Sequence, residues 1–135
     1  MKIKEKYTEL KTNNFNSLIL IKSGNFYLSL EADAYLMNFI FNYKIVKNKI
    51  GFPFSALENV LDALNDKEID YIVYNNDSDI LTKKNDNNQY LSLLNESKRL
   101  EYKNSMKRLL FDRIEFLIDS DSNNYDKIRR FIDEL

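Results

Sequence analysis

Residues 17–36 read SLILIKSGNFYLSLEADAYL, and the hydrophobic period of this stretch changes in a way that decides the fold. Residues 17–23 have a continuous apolar centre, which is typical of a strand covered on both faces. Gly24 and Asn25 follow, and both residue types adopt a positive φ in a turn with little strain. Residues 26–30 then alternate between the two sides of a strand, so the stretch as a whole predicts a β-hairpin.

The hydrophobic period lengthens after the hairpin. From Glu31 onward apolar residues recur at helical spacing, which predicts a helix directly after the second strand. Residues 43–52, YKIVKNKIGF, predict a third strand that ends at Gly51 and Pro53.

A second helix is predicted at the segment SALE, where Ser55 and Glu58 have the spacing of a capping box. In that motif the serine side chain accepts from the backbone N–H of the glutamate, and the glutamate side chain reaches back to the serine. Residues 69–74 are β-branched and aromatic and predict a further strand. The order β-β-α-β-α-β predicts an α/β fold with a small mixed sheet packed by helices.

The chain changes character after the core of residues 1–75. Residues 76–88 are polar and rich in asparagine, which predicts a loop with a short edge strand near residues 80–83. Residues 89–135 predict a C-terminal helical extension packed on the core or on a partner. Its first helix would span about 45 Å at about 1.5 Å per residue. Because the sheet does not need that length, we expect a break or a partner.

Two absent residue types restrict the function. The sequence has no cysteine and no histidine, so thiolate chemistry, zinc–cysteine sites and histidine proton transfer are excluded. No glycine-rich phosphate loop is present. We therefore expect no catalytic residue, no cofactor and no metal, and a role other than that of an enzyme. The near-neutral charge of −1 does not indicate nucleic acid as a partner, so any basic surface must be local.

The location is predicted from what the sequence lacks. The first ten residues, MKIKEKYTEL, contain glutamates and no apolar core of a signal peptide. No apolar run approaches the roughly 20 residues that a membrane helix needs. We expect a cytoplasmic protein with no membrane partner.

The sequence resembles the N-terminal mismatch-recognition domain of the MutS family of DNA repair proteins over residues 5–75. Gly24, Phe26 and Tyr27 stand at the Gly, Phe and Tyr of the family's G-D-F-Y-E segment. Gly51 and Pro53 stand at the Gly and Pro of the family's A-G-x-P segment. The remainder does not resemble later parts of the family, so the resemblance implies an isolated first domain with its own helical tail.

The resemblance implies a way of binding DNA. In the family the Phe inserts into the duplex and stacks on a mispaired base, and the Glu two residues later hydrogen-bonds that base. An aromatic wedge in the minor groove costs unstacking energy. The kinked duplex then contacts more protein surface, and these contacts offset the cost. This sequence keeps Phe26 but has Leu28 in place of the Glu and Asn25 in place of the Asp. Leucine cannot hydrogen-bond a base, so the resemblance implies degenerate mismatch reading.

The candidate nucleic-acid-binding residues fall into two groups. Phe26 and Tyr27 would contact bases beside Lys22, although Phe26 shares its strand face with Leu28 and Leu30 and is also interpreted as a core residue. The second group is Arg99, Lys103 and Lys107, which form one stripe along a helix. These side chains would either contact successive phosphates of DNA or form an ordinary solvated helix face.

Three functions remain open. The first is a DNA-binding or DNA-repair accessory module that binds duplex or distorted DNA. The second is a protein-binding decoy or inhibitor, for example a phage or mobile-element protein that blocks a host nuclease, with the C-terminal helix providing self-association. The third is a carboxylate-metal nuclease built on Asp77 and Asp79, which the absence of histidine disfavours.

Overall fold

The computed structural model describes residues 2–135. Along the chain, its helices and strands are α1 (Ile3–Asn13), β1 (Leu18–Ser23), β2 (Phe26–Leu30), α2 (Glu31–Phe41), β3 (Lys49–Pro53), a 3-10 turn (Phe54–Ala56), α3 (Leu57–Asp66), β4 (Tyr71–Asn76), β5 (Asp79–Lys83), α4 (Tyr90–Ser120) and α5 (Asn123–Asp133). Among these described residues, no helix combines the length and the apolar character needed to cross a bilayer.

The five strands form one mixed sheet in the order β3-β2-β1-β4-β5. The central pair β1–β4 is parallel, whereas the β1–β2, β2–β3 and β4–β5 pairs are antiparallel. The predicted hairpin is confirmed, since Ser23 pairs with Phe26 across Gly24 and Asn25. The predicted α/β fold with a mixed sheet and a C-terminal helical extension is therefore confirmed.

Each face of the sheet supports its own group of buried side chains. On one face, strand residues such as Leu20 and Val73 pack under α2, α3 and the start of α4. On the other face, Ile19 and Ile21 pack under α1, which contributes Tyr7. This two-sided burial explains why residues 18–21 are all fully buried and form a continuous apolar run.

Two local predictions are wrong. The predicted strand over residues 43–52 is shortened to β3, because Lys47 and Asn48 have positive φ values of 52° and 60° and turn the chain just before it. The predicted capping box does not form: Ser55 lies inside the 3-10 turn, α3 begins at Leu57, and neither of these described elements has a side-chain cap. A helix that starts two residues after Ser55 cannot be capped by it.

Helix α4 continues without a break for 31 residues. No glycine or proline occurs in Tyr90–Ser120, so nothing in its sequence forces a kink. The chain nevertheless divides into two compact units, Met1–Ser97 and Lys98–Leu135, and the boundary falls within this helix. The first unit contains the whole sheet, including β5 in the polar segment.

A buried carboxylate joins the elements of the first unit. The side chain of Asp33 in α2 is fully buried and accepts hydrogen bonds from the hydroxyls of Tyr7 and Tyr90, from Lys11 Nζ at 2.9 Å and from the backbone N–H of Ile19 at 3.1 Å. These donors come from α1, β1 and the first residue of α4. Burial raises the pKa of both tyrosines, so they remain protonated donors.

We expect Asp33→Asn to lower the free energy of unfolding by about 3–5 kcal/mol, because the change leaves the largely buried Lys11 ammonium without its carboxylate partner. The change also turns an amide N–H toward the surrounding donors. Urea unfolding followed by circular dichroism measures this loss. The matched control is Asp62→Asn on the exposed side of α3, expected to change stability by less than about 0.5 kcal/mol. Equal stability of the two variants would contradict the expectation.

Candidate nucleic-acid interface

The hairpin presents an aromatic side chain at one end of the sheet. Gly24 adopts a φ of +61°, which lets the chain reverse immediately before Phe26. Phe26 is the first residue of β2, and its side chain is 50% exposed. The interpretation of Phe26 as a core residue is therefore wrong: α1 covers the same sheet face but does not bury this end of β2. An exposed phenylalanine at a strand end has the geometry of a stacking platform or wedge.

Phe54 is a second exposed aromatic at the same end of the sheet, and the sequence did not reveal it. Pro53 pairs with Phe26 across the β2–β3 ladder, and the backbone N–H of Phe54 donates to the carbonyl oxygen of Asn25 at 2.9 Å. Phe54 therefore lies beside the hairpin turn with its side chain 57% exposed. The pattern gave no signal for it, because an aromatic directly after a predicted strand is equally consistent with a core residue.

Tyr27 and Lys22 do not lie where a shared base contact with Phe26 would need them. Tyr27 is buried, its ring stacks on Phe52 with centroids 5.9 Å apart, and its hydroxyl donates to Asn75 Oδ1 at 2.5 Å. Burial, with a smaller contribution from Asp79, raises the pKa of this hydroxyl. Lys22 pairs with Tyr27 in the ladder, so its exposed side chain leaves the sheet on the face opposite to Phe26.

Leu28 fills the position two residues after Phe26 and lies on the same sheet face. It pairs with Gly51 in β3, and a Cβ added at Gly51 would lie 2.9 Å from Leu28 Cδ2. The glycine therefore leaves room for the leucine side chain to lie across β3. This contact makes the surface beside Phe26 apolar, where the family resemblance implies a hydrogen-bonding carboxylate.

A groove with a basic rim runs along the same face from Leu28. We call it the basic groove; it has a volume of about 400 Å³ and is lined by Ile3, Lys4, Ser23, Leu28, Leu30, Glu31, Lys47, Asn48 and Lys49. Three lysines therefore surround one glutamate, and Lys4 approaches that glutamate with its Nζ 3.8 Å from Glu31 Oε1. Lysines around an apolar floor provide a surface that could contact phosphates while the floor contacts sugars or bases.

The backbone beside the basic groove has three non-glycine residues with a positive φ. Lys47 and Asn48 form a two-residue turn in which both φ values are positive, and the turn is closed by the Val46–Lys49 bridge. Glu31 also has a positive φ, of 52°, and its N–H donates to the Asn48 carbonyl at 2.8 Å. Such non-glycine conformations cost of order 1–3 kcal/mol each and occur preferentially at functional sites. Three of the five non-glycine residues with positive φ in the described part of the chain line the basic groove, and the other two, Asn42 and Glu68, lie elsewhere.

The predicted basic stripe lies in the second compact unit. Arg99, Lys103 and Lys107 are all exposed along α4, and Lys107 Nζ lies 5.7 Å from the centroid of the Phe111 ring. The three side chains are accessible to a polyanion, and their role in binding one stays a prediction.

The acidic pair predicted for a nuclease is partly engaged by its neighbours. Asp77 Oδ1 accepts from the Tyr74 hydroxyl at 2.5 Å and lies 3.5 Å from Lys6 Nζ. The Tyr74 hydrogen bond, followed by Lys6, lowers the pKa of Asp77. Asp79 begins β5 and is exposed. Residues 2–135 contain no group of three or more acidic side chains placed to hold a metal ion.

The fold and the site together define a class of protein: a mixed-sheet α/β module that exposes aromatic side chains at a hairpin end, beside a basic groove. The sequence model of MutS domain I matches residues 2–92, and the chain belongs to this family. The match is longer than the resemblance over residues 5–75 and extends through β5 into α4. A comparison with curated proteins gave no match. Family membership makes this a DNA mismatch-recognition-like module, for which DNA is the expected class of ligand.

The contribution of the basic groove to DNA binding can be measured by its salt dependence. For Lys47→Gln/Lys49→Gln we expect the slope of log K against log salt to fall by about 2, since each phosphate contact on duplex DNA contributes about 0.9. Fluorescence anisotropy titrations at several salt concentrations measure the slope. The control pair Lys44→Gln/Lys67→Gln removes the same charge elsewhere on the first unit and should leave the slope within about 0.5. Equal slopes for both pairs would remove the groove from the interface.

Proposed function

We propose that the protein is a non-enzymatic DNA-binding module that stacks Phe26 on bases of distorted duplex DNA and reads mismatches without a hydrogen-bonding side chain. The observation that carries the proposal is the half-exposed Phe26 ring at the end of β2, beside an apolar rather than a carboxylate neighbour. Stacking of one base on an aromatic side chain contributes about 1–3 kcal/mol and depends little on base identity.

The rigid surroundings of Phe26 support a wedge. The hairpin turn is fixed by Gly24, and the neighbouring Tyr27 ring is anchored by stacking on Phe52 and by its hydrogen bond to Asn75. Phe52 stacks in turn on Tyr43, with centroids 5.7 Å apart. A side chain that unstacks a duplex must be held against the force of the base stack, and this aromatic series packs behind the strand that carries Phe26, on the opposite face of the sheet.

The apolar position of Leu28 determines what the module would distinguish. Without a hydrogen-bond acceptor, the preference for a mismatch would come from the lower energy needed to unstack and kink mispaired DNA. The module would therefore recognise how easily the DNA deforms rather than which bases are present. The lysines of the basic groove would hold the phosphates beside the kink.

The absence of catalysis is part of the proposal. It is supported by the engagement of Asp77 with Tyr74 and Lys6, which occupies one oxygen of the carboxylate pair that the sequence suggested for metal binding. A protein-binding role is the second candidate function, and the observation that favours it is the exposure of large apolar side chains in Lys98–Leu135.

We expect Phe26→Ala to weaken binding to a mismatched duplex about tenfold or more, because it removes the stacking contribution. Anisotropy titrations at about 50 mM salt with mismatched, matched and single-stranded oligonucleotides measure the change. The matched control is Phe15→Ala, because Phe15 is 66% exposed but precedes β1 at the opposite end of the sheet. It should change affinity by less than about twofold.

Two results would overturn the proposal in this experiment. Failure to bind any of the three oligonucleotides would remove DNA as the ligand, and equal effects of Phe26→Ala and Phe15→Ala would remove the wedge. Denaturing gels of the same samples in Mg²⁺ or Mn²⁺ check that the oligonucleotides remain intact. Cleavage that disappears in Asp77→Asn/Asp79→Asn would contradict the non-enzymatic part.

Leu28→Glu should increase the ratio of mismatched to matched affinity by about two- to tenfold, since a hydrogen bond contributes about 0.5–1.5 kcal/mol. The new carboxylate would leave the same strand face as Phe26, where it could accept from a displaced base. The same anisotropy assay measures the ratio, with Leu28→Met as the apolar control. An unchanged ratio in a folded Leu28→Glu protein would show that this position does not face the base.

A further inference from the structure

The second compact unit, Lys98–Leu135, does not bury any of its side chains. Every residue of this unit is exposed or only partly buried, although it contains many large apolar side chains. Those at least 48% exposed are Tyr102, Met106, Leu109, Leu110, Phe111, Phe116, Tyr125, Phe131, Ile132 and Leu135. A unit of about 40 residues needs a partner, a metal or disulfides to be stable. The apolar surface of this unit therefore indicates a partner.

The exposed apolar residues of α4 are spaced for packing against another helix. One line of side chains along α4 has successive spacings of four, three, four and three residues. Its members are Tyr102, Met106, Leu109, Arg113 and Phe116, and all but Arg113 are apolar. This is the spacing of the core positions of a helix pair. The side chains of Tyr102 and Phe116 are each 69% exposed, and Leu109 between them is 62% exposed.

The charge distribution along the same helix favours a second copy of this chain as the partner. Residues 98–108 carry five cations and one anion, whereas residues 112–121 carry four anions and one cation. A parallel pair of these helices would place like charges together. An antiparallel pair centred near Leu109 would place the basic half of each helix beside the acidic half of the other. A two-fold axis perpendicular to the helices produces this arrangement, in which both copies use the same surface and the basic half of each meets the acidic half of the other.

We propose that the protein forms a homodimer through antiparallel pairing of helix α4 over residues 98–120, with Leu109 near the two-fold axis. The apolar seam would be buried between the copies, and the complementary halves would fix the orientation. The inference is independent of DNA binding by the first unit, because it concerns only side chains of the second.

A charge-exchange experiment on the full chain tests the pairing. We expect wild type to have twice the 16.1 kDa chain mass by light scattering at about 100 µM. Lys103→Glu/Lys107→Glu should weaken self-association at least about tenfold, and Glu115→Lys/Asp119→Lys should do the same, because each variant places like charges across both halves of the dimer. An equimolar mixture of the two variants should dimerise, because the anions introduced in one variant then meet the cations introduced in the other, and the unchanged halves meet with opposite charge.

Matched variants separate the seam from the helix itself. Leu109→Glu should give a monomer, whereas Asn104→Glu on another side of the helix should remain a dimer. Lys44→Glu/Lys67→Glu in the first unit controls for total charge, and circular dichroism confirms that each variant is folded. A monomeric wild type would overturn the dimer. Dimers formed by either charge-reversed variant alone, or a mixture that stays monomeric, would overturn the antiparallel pairing.

Discussion

The buried carboxylate of Asp33 is the interaction on which the first unit depends. A lone ion in an apolar interior is very unfavourable, so this side chain requires its four donors to be held in place together. Those donors belong to the helices α1 and α4, which cover opposite faces of the sheet, and to the central strand β1. The carboxylate therefore joins helices whose packing on the sheet otherwise depends mainly on apolar contacts.

The sequence predicted the parts of the fold that are determined locally. The hairpin and the helix that follows it were visible because Gly24, the alternation after it and the helical spacing from Glu31 lie within twenty residues. The turn at Lys47 and Asn48 was not visible, since neither residue is a glycine and their positive φ values are imposed by the surrounding structure. The burial of Asp33 was also hidden, because its donors are distant in sequence.

The sequence predicted some residues of the candidate site, but it did not predict which side chains are exposed or which residues lie together. Alternation placed Phe26 with Leu28 and Leu30, and burial of all three was a reasonable interpretation. The position of α1 on the sheet determines which end of β2 is covered. Helix α1 leaves the Phe26 end uncovered, so Phe26 is exposed. The exposed Phe54 and the basic groove arise from strand register, which joins residues that the sequence keeps apart. The role of Phe26 in base stacking was inferred from the family resemblance and not from the residue pattern itself.

The parallel pairing of β1 with β4 also has a consequence for how the chain reaches its native state. Leu18 pairs with Tyr71 and Ile21 with Tyr74, so the centre of the sheet closes a loop of about fifty residues. Neighbouring hairpins can zip from their turns, but this closure loses chain entropy before any contact compensates for it. The central ladder should therefore set the folding rate, and until it closes the apolar edge of β1 is open to association with other chains.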